Sequence, residues 1–357
     1  MRRPPSSSSP VSTYEPGSAP FPVSARAHLT APIVHPFTRI PAQAVSALGE
    51  EKLIAEIRRW LGRASPRAPF GIGDDCAVLP PSRGRQLITV DPVIYGQHFD
   101  DEVPPRAVGA KLFKRNLSDL AAMGGRPTAG VLALTLDAGV SRKWLEEFYR
   151  GLAACARKHR VMIVGGDVAQ SDGVVAASLT LLGEAAGERV VTRQGARVGD
   201  RIYVTGRLGN SLRSRHHFRF SPRLAEGAWL AAHLGVRAMM DVSDGLAKDL
   251  RALTPRAGLA ALDPSSIPRR AGATLKSALS DGEDYELAFA FDRRADAGAF
   301  EQKWRRAFPR TPLTLIGRFV CAGKAPAGSV DLAQFHGYEH LDAFRKPADR
   351  RRGRVLS

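Results

Sequence analysis

The sequence lacks the features of membrane, secreted and disulfide-rich proteins. Its three cysteines, Cys76, Cys155 and Cys321, lie far apart and form no CxxC pair. This spacing argues against a disulfide framework or a structural zinc site and fits a reducing compartment. No apolar run approaches the roughly 18 residues that a membrane-spanning helix needs. The opening MRRPP continues into Ser and Pro, without the apolar stretch of a secretory signal. We therefore expect a cytoplasmic protein.

The common signatures of nucleotide-binding proteins are also absent. GxxxxGK[ST] does not occur, which excludes the P-loop class. The stretch GIGDDC begins like the dinucleotide-binding GxGxxG, but Cys76 replaces the third glycine and two carboxylates stand where a pyrophosphate would approach. No kinase-type glycine-rich loop, VAIK or HRD set is found. A nucleotide-dependent activity therefore needs a different kind of site.

Acidic residues are fewer than basic ones, 35 Asp+Glu against 52 Lys+Arg, and the net charge is +17. Part of the excess lies at the two ends of the chain, with four arginines and one acid in residues 1–48 and six basic residues and one acid in residues 345–357. Basic tails are more often solvated surface than nucleic-acid sites, so charge alone does not define the function. A nucleic-acid-binding protein stays an alternative, which steeply salt-dependent binding without ATP turnover would support.

Changes in composition divide the chain into four parts. Residues 1–48 are rich in Pro, Ser and Ala, which is typical of a disordered extension. Apolar residues then recur at helical and strand spacing, and after a first helix they predict the order β-α-β-α-β-β. We predict an α/β protein with an N-terminal domain at residues 49–187, a less regular C-terminal domain at 188–344, and a basic tail at 345–357.

Aspartates recur beside small residues at the ends of apolar runs. A single aspartate of this kind usually forms a turn or caps a helix. Seven are hard to explain as turns, because carboxylates gathered in one place raise one another's pKa unless cations neutralise them. Hard oxygen ligands favour magnesium, which commonly bridges carboxylates to substrate phosphates. The pattern therefore predicts Mg-nucleotide chemistry at Asp74, Asp75, Asp91, Asp119, Asp167, Asp241 and Asp244.

Eight longer motifs occur in a fixed order over about residues 49–342. They are GIGDDCAVL, TVDPVIYGQHF, KLFKRNLSDLAAMGGRP, VGGDV, VTRQGARVGDRIYVTGRLG, AMMDVSDGLAKDL, LSDGEDYEL and GYEHL. In this order they resemble the thiamine-monophosphate kinase family. NLSDLAAMG with GEDYEL is specific to the kinases, whereas GDD and GGD alone indicate only the superfamily of aminoimidazole ribonucleotide synthetase and selenophosphate synthetase.

The resemblance implies both a fold and an activity. The fold is a two-domain, PurM-like α/β (α+β) architecture, with an N-terminal domain that forms a dimer sheet or barrel and a C-terminal α/β sandwich. The activity is ATP-dependent phosphorylation of thiamine monophosphate to thiamine diphosphate by direct in-line transfer, the last step of thiamine diphosphate biosynthesis. Several Mg²⁺ ions, ATP as co-substrate and a homodimer are implied, without a specific nucleic-acid or membrane partner.

Two alternatives remain within the superfamily. One is a sibling enzyme that acts on another small phosphate substrate, and the other is a catalytically weakened nucleotide-binding homologue. A selenophosphate synthetase needs a reactive cysteine near a glycine-rich N-terminus, which this sequence does not show. Hydrogenase-maturation relatives end in a cysteine-containing tail, whereas this sequence ends RVLS.

The resemblance also implies site residues, carried over position by position. Metal ligands are implied at Asp75, Thr89, Val90, Asp91, Asp119, Asp167, Asp241 and Asp244. Among these, Asp119, Asp241 and Asp244 are implied to act in catalysis. ATP contacts are implied at Tyr149, Gly166, Asp167, Arg193 and Ser243, and thiamine phosphate contacts at His98, Glu283 and Tyr338. Their chemistry fits, since a guanidinium binds phosphate in bidentate fashion and an aromatic face attracts a cationic ring.

The sequence departs from the family pattern at a few of these places. Val90 stands where Thr is usual, so that only a backbone carbonyl is left to coordinate there. Asn210 occupies a usually acidic position, and Asp281 is an added acid in SDGEDYEL. His216 and His217 resemble a metal-binding pair, but no third ligand lies nearby in the sequence. We expect this pair on a helix or loop surface.

Overall fold

The computed structural model describes residues 35–68, 70–73, 76–82 and 84–339. These residues belong to one compact unit. Asp74 and Asp75 lie outside the described residues, as do the basic tail and the first 34 residues of the predicted extension.

Residues 35–48 are part of the fold, and the prediction of disorder is wrong for them. Phe37 pairs with Val140, and Ala44 with Ser141, in isolated antiparallel bridges. Val45 is buried in the core of the first half. Because the surrounding residues are mostly Pro, Ser and Ala, composition concealed the few apolar side chains that dock this segment.

The first half of the described chain contains a four-stranded mixed sheet. Its strand order is β1-β4-β2-β3; β4 pairs antiparallel with β1 and β2, and β2 and β3 run parallel. A helical crossover joins the parallel pair, as such a connection requires. The elements are α1 (Glu50–Leu61), β1 (Gln86–Ile94), α2 (Pro105–Ala122), β2 (Gly125–Leu136), α3 (Arg142–His159), β3 (Met162–Gln170) and β4 (Val175–Ala185). The predicted order β-α-β-α-β-β is confirmed.

The two long helices of this half approach each other closely at two glycines. A Cβ atom on Gly109 of α2 would lie 2.0 Å from the Phe148 carbonyl oxygen of α3. A Cβ atom on Gly151 of α3 would lie 2.0 Å from the Arg106 carbonyl oxygen of α2. Only glycine permits this backbone contact, which fixes how α2 lies over the sheet.

The second half contains a five-stranded sheet in the order β6-β8-β5-β9-β7, with antiparallel neighbours throughout. β8 is buried along its whole length. The elements are β5 (Arg201–Thr205), α4 (His216–Arg219), α5 (Leu224–Ala232), β6 (Val236–Val242), α6 (Leu246–Leu253), β7 (Gly258–Leu262), α7 (Leu275–Ser280), β8 (Glu286–Phe291), α8 (Ala297–Ala307) and β9 (Leu313–Cys321).

Helix α2 contacts both halves. Ala121 near its end belongs to a core cluster of the second half, and a Cβ on Gly227 of α5 would lie 2.0 Å from the Ala121 carbonyl oxygen. The Ser118 hydroxyl of α2 also reaches Asp241 of β6. Residues of the two sheets therefore face each other across this helix. Among the described helices, none has the length and apolar character to cross a membrane.

Candidate active site

A cavity of about 620 Å³ lies between β1, α2 and β6. Strand β1 contributes Thr89, α2 contributes Asp119, and β6 contributes Asp241. Arg193, from the segment that joins the two halves, lines the same cavity. Four residues that were predicted from separate motifs are thus brought together in space.

Short hydrogen bonds fix the carboxylates around this cavity. The Thr89 hydroxyl donates to Asp119 Oδ2 at 2.5 Å, and the Ser118 hydroxyl donates to Asp241 Oδ2 at 2.7 Å. Asp91 lies two residues after Thr89 and therefore on the same face of β1. Its Oδ1 atom is 3.3 Å from Arg115 Nη2 of α2. Alternation along β1 and helical spacing along α2 together produce this arrangement.

Burial and neighbouring charges disfavour ionisation of the acids that line this cavity. Burial, followed by repulsion from Asp241 and Asp91, raises the pKa of Asp119 to about 8. Burial and the charge of Asp91 raise the pKa of Asp241 to about 6, against the hydrogen bond from Ser118. A cation at this place would relieve the repulsion, so the donor set fits a hard divalent ion.

A donor set that fits a divalent ion need not already be arranged as a metal site. Within the ranges that the structure describes, no three His, Cys, Asp or Glu side chains are already grouped as metal ligands. Asp75, an implied ligand, lies outside those ranges. The metal roles therefore stay predictions.

The turn from β6 into α6 holds the other two residues of the DVSD motif. The backbone N–H groups of Ser243 and Asp244 donate to Asp249 Oδ2 at 2.9 and 3.1 Å. Burial and repulsion from Asp241 and Asp244 raise the pKa of Asp249 to about 8. Sequence reasoning missed Asp249, and its only signal was its place in GLAKDL, five residues after Asp244. Its carboxylate shapes the turn that presents Ser243 and Asp244.

The three residues implied for the thiamine phosphate also lie close together. The Gln97 side-chain amide, next to His98, donates to the Tyr338 hydroxyl at 2.9 Å. Lys111 Nζ donates to the His98 carbonyl oxygen at 2.7 Å and lies 2.6 Å from Glu283 Oε1. The Tyr338 backbone N–H donates to the Asp244 carbonyl oxygen at 2.8 Å, which places this group next to the DVSD turn.

Glu283 is held as an ionised carboxylate in this group. Burial alone would raise the pKa of Glu283, but the hydrogen bond to His217 and the charge of Lys111 outweigh it and lower the pKa to about 2. The backbone of Glu283 has φ +53°. This left-handed conformation is unusual for a residue other than glycine and is often found at functional sites.

His217 is buried, so the expectation of a surface pair is wrong for it. Its Nδ1 atom lies 3.1 Å from Lys111 Nζ and 3.5 Å from Glu283 Oε2. His216 is half-buried, and its Nε2 atom lies 2.9 Å from the Asp284 carbonyl oxygen. The two rings have different partners. Packing of α4 against α2 buries His217, and a local sequence pattern cannot show such a contact.

Tyr149, Gly166 and Asp167 do not join the main cavity within one chain. They line a second cavity of about 80 Å³ beside α1. Strands β1 and β3 are opposite edges of the sheet, three strand spacings or roughly 14 Å apart. Tyr149 packs in the core between Trp60 and Phe148.

The first sheet has an outer face, directed away from α2 and α3. We define it by Ile88, Val90, Val131, Ala133 and Asp167, all of which are exposed. Val90 is 60% exposed, and its side chain points away from Asp119. Of the Val90 groups, only the backbone is therefore placed to contribute to the acidic cavity.

Two departures from the family pattern meet in space. The Asn210 backbone N–H donates to Asp281 Oδ2 at 2.8 Å, and the Asn210 side chain donates to the Ala271 carbonyl oxygen at 2.8 Å. The added acid thus accepts a hydrogen bond from the residue that replaces the usual acid.

Comparison with known proteins agrees with these features. Residues 73–185 match the family model "AIR synthase related protein, N-terminal domain". The thiamine-monophosphate kinase of Rhodopirellula baltica is 35% identical over 291 residues, which cover 76% of this chain and 89% of that protein.

Two solved structures share the fold. The crystal structure of thiamine-monophosphate kinase from Stenotrophomonas maltophilia K279a superposes with a TM-score of 0.65 at 32% identity, covering 77% of this chain and 95% of that one. AaThiL complexed with AMPPCP and TMP has a TM-score of 0.61 at 28% identity, covering 83% of this chain and 98% of that one. The predicted PurM-like α/β fold is confirmed. With this similarity over most of both chains, the protein belongs to the thiamine-monophosphate kinase family, a family of phosphotransferases.

Proposed function

We propose that this protein phosphorylates thiamine monophosphate to thiamine diphosphate with ATP as the donor. The observation that carries the proposal is the convergence of Asp119, Asp241 and Arg193 on one cavity, beside the group formed by His98, Glu283 and Tyr338. The related AaThiL has been solved with AMPPCP and TMP, a donor analogue together with the acceptor. A donor site next to an acceptor site is what phosphoryl transfer needs.

In this reaction an oxygen of the acceptor phosphate attacks the γ-phosphorus of ATP in line, the bond to the β-phosphate oxygen breaks, and ADP leaves. Both reactants are anions, so their repulsion is the main obstacle. Arg193 is suited to bind a phosphate in bidentate fashion. When bound, magnesium would supply positive charge to the phosphates. Asp91, Asp119, Asp241 and Asp244 are the described carboxylates that would hold it, with Asp75 as a further expected ligand.

The group formed by His98, Glu283 and Tyr338 has the charge and shape to bind the thiamine part of the substrate. Glu283 offers an ionised carboxylate to a cationic thiazolium or an aminopyrimidine. Tyr338 offers an aromatic face for stacking. Its position is fixed by Gln97 at the hydroxyl and by Lys248, whose ammonium group donates to the Tyr338 carbonyl oxygen. These contacts order the acceptor before transfer, which reduces the entropic cost of the reaction.

We also infer a homodimer formed through the outer face of the first sheet. Ile88 is 70% exposed and Val90 60% exposed on this face, and Val131 extends the apolar surface onto the next-but-one strand. A second copy of the chain would cover these side chains and protect the edge strands β1 and β3. Asp167 lies at the edge of the same face, where a second copy would approach it and the neighbouring Gly166.

The cellular location follows from the same proposal. All three cysteines are free thiols, which fits a reducing compartment. We infer that the reaction takes place in the cytoplasm.

The function is tested by supplying purified protein with ATP, magnesium and thiamine monophosphate. Thiamine diphosphate and ADP are separated by chromatography and should form in equal amounts. Thiamine serves as the control acceptor and should yield no product, because it offers a hydroxyl group where the proposed reaction uses a phosphate. ATP hydrolysis without thiamine diphosphate, or turnover only with another small phosphate, would contradict the proposal and favour a sibling activity.

A further inference from the structure

We propose that His217 is a positioning residue that holds the Glu283 carboxylate toward the acceptor and thereby sets the affinity for thiamine monophosphate. This inference rests on the proposed function and deepens it. It adds a residue from the segment after TGRLG, in which the sequence departs from the family pattern.

Lys111, Glu283 and His217 form a compact buried group. Lys111 Nζ is 2.6 Å from Glu283 Oε1 and 3.1 Å from His217 Nδ1, and His217 Nδ1 is 3.5 Å from Glu283 Oε2. The Lys111 side chain has no exposed surface, whereas the Glu283 side chain is 23% exposed. Lys111 therefore binds one carboxylate oxygen from within, the His217 ring stands beside the other, and a part of Glu283 remains accessible to a ligand.

The backbone of Glu283 needs this support. Its φ of +53° follows a Gly282 φ of +71°, and a left-handed conformation is unfavourable for a residue with a Cβ. The segment that carries His217 makes a second contact with this turn, because the Ser211 hydroxyl donates to the Gly282 carbonyl oxygen at 2.7 Å. Ser211 and His217 thus hold the GEDYE turn from two sides.

An imidazole suits this position because it adds no fixed charge. The His217 ring meets both charged groups at Nδ1, and the charges of Lys111 and Glu283 balance each other. A second ammonium here would oppose a cationic ligand, and a second carboxylate would repel Glu283. The ring therefore restricts the Glu283 side chain while its carboxylate stays ionised for the cationic part of the acceptor.

Steady-state kinetics of His217 variants test the proposal. In His217→Ala we expect the KM for thiamine monophosphate to rise about tenfold, with kcat and the KM for ATP changed less than about threefold, since only acceptor binding is weakened. His217→Asn should recover most of the affinity because its side-chain amide offers an NH2 donor to Glu283 and a carbonyl acceptor to Lys111. His216→Ala is the matched control in the same helix and should match the wild type within about twofold.

A double-mutant cycle with Glu283→Gln separates positioning from general packing. If His217 acts through Glu283, His217→Ala should raise the KM less than about twofold in the Glu283→Gln background. Glu283→Asp, which keeps the charge opposite Lys111, replaces Glu283→Gln if the latter does not fold. Three results would overturn the proposal. The KM for thiamine monophosphate is unchanged in His217→Ala, or it rises as much in the Glu283→Gln background as in the wild type, or it rises equally in His216→Ala. Absence of thiamine diphosphate formation by the wild type would instead refute the proposed function.

Discussion

At the scale of single residues, the site contains acids whose ionisation is set by burial and by neighbouring charges. Burial and the charges of Asp241 and Asp91 disfavour ionisation of Asp119, and burial and the charge of Asp91 disfavour ionisation of Asp241. Glu283, in contrast, is kept ionised by His217 and Lys111. Acidic side chains with opposite shifts thus lie in one region of the molecule. This contrast fits two tasks. Asp119 and Asp241 would be ionised when they bind a cation, whereas Glu283 offers its own negative charge to a ligand.

The lowered pKa of Glu283 predicts how stability depends on pH. A carboxyl group whose folded pKa lies below its unfolded value of 4.5 stabilises the fold above pH 4.5, and this contribution is lost as the pH falls toward about 2. The stability difference between wild type and Glu283→Gln should therefore be constant from neutral pH down to about 5 and shrink below it. Urea unfolding at pH 7.0, 5.5, 4.5 and 3.5 (roughly spanning this window) measures it. A difference that grows as the pH falls would contradict the assignment.

At the scale of elements, helix α2 organises the candidate site. It carries the buried Lys111, which holds Glu283, and the half-buried Asp119, which lines the main cavity. The position of the helix is set by the close approach to α3 at Gly109 and Gly151. The site therefore depends on a close backbone contact between α2 and α3.

This dependence predicts the effect of a single methyl group. Gly109→Ala would place a Cβ 2.0 Å from the Phe148 carbonyl oxygen, a backbone atom that cannot move without shifting α3. We expect a loss of about 1–3 kcal/mol in the free energy of unfolding, measured by denaturant titration. Gly298→Ala in α8 is the matched control, because its Cβ would meet only a side-chain oxygen at 3.5 Å. A Gly109→Ala variant as stable as the control would show that α2 and α3 are not locked at this point.

At the scale of the whole molecule, two sheets with separate cores face each other across α2, and the outer face of the first sheet presents apolar residues to solvent. The cavity between the sheets combines residues from both halves, so neither half contains the site alone. In the inferred dimer, the outer faces of two copies of the first sheet would cover each other.

The dimer predicts the behaviour of a charged substitution on the outer face. Sedimentation of the wild type should give about twice the 38.5 kDa mass of one chain. Val131→Asp places a charge in the centre of the proposed interface and should yield monomers with an unchanged far-UV circular dichroism spectrum. Leu234→Asp, at a residue 86% exposed in the second half, is the control and should remain dimeric. A monomeric wild type at micromolar concentration would contradict the inferred interface.

Some features of the fold follow from local sequence, and others depend on residues far apart in the chain. The order of elements in the first half was predictable because strands and helices have distinct periodicities. Asp119 and Asp241 are 122 positions apart in sequence. Their proximity could be predicted only from the hypothesis that the recurring aspartates form one magnesium site. The burial of His217 depends on Lys111, a residue from another part of the chain, and no local pattern records it. The same holds for Phe37 and Val45, whose partners lie elsewhere in the fold.

The most direct test of the central claim is the turnover of Asp119→Asn in the thiamine monophosphate assay. Because burial and neighbouring carboxylates already disfavour the charge of Asp119, the neutral amide should leave the fold intact, as thermal unfolding would show. We predict that kcat falls at least about a hundredfold, whereas Asp172→Asn, at an exposed turn residue, leaves it unchanged. Turnover of Asp119→Asn at the wild-type rate would contradict the claim that these convergent carboxylates perform the chemistry.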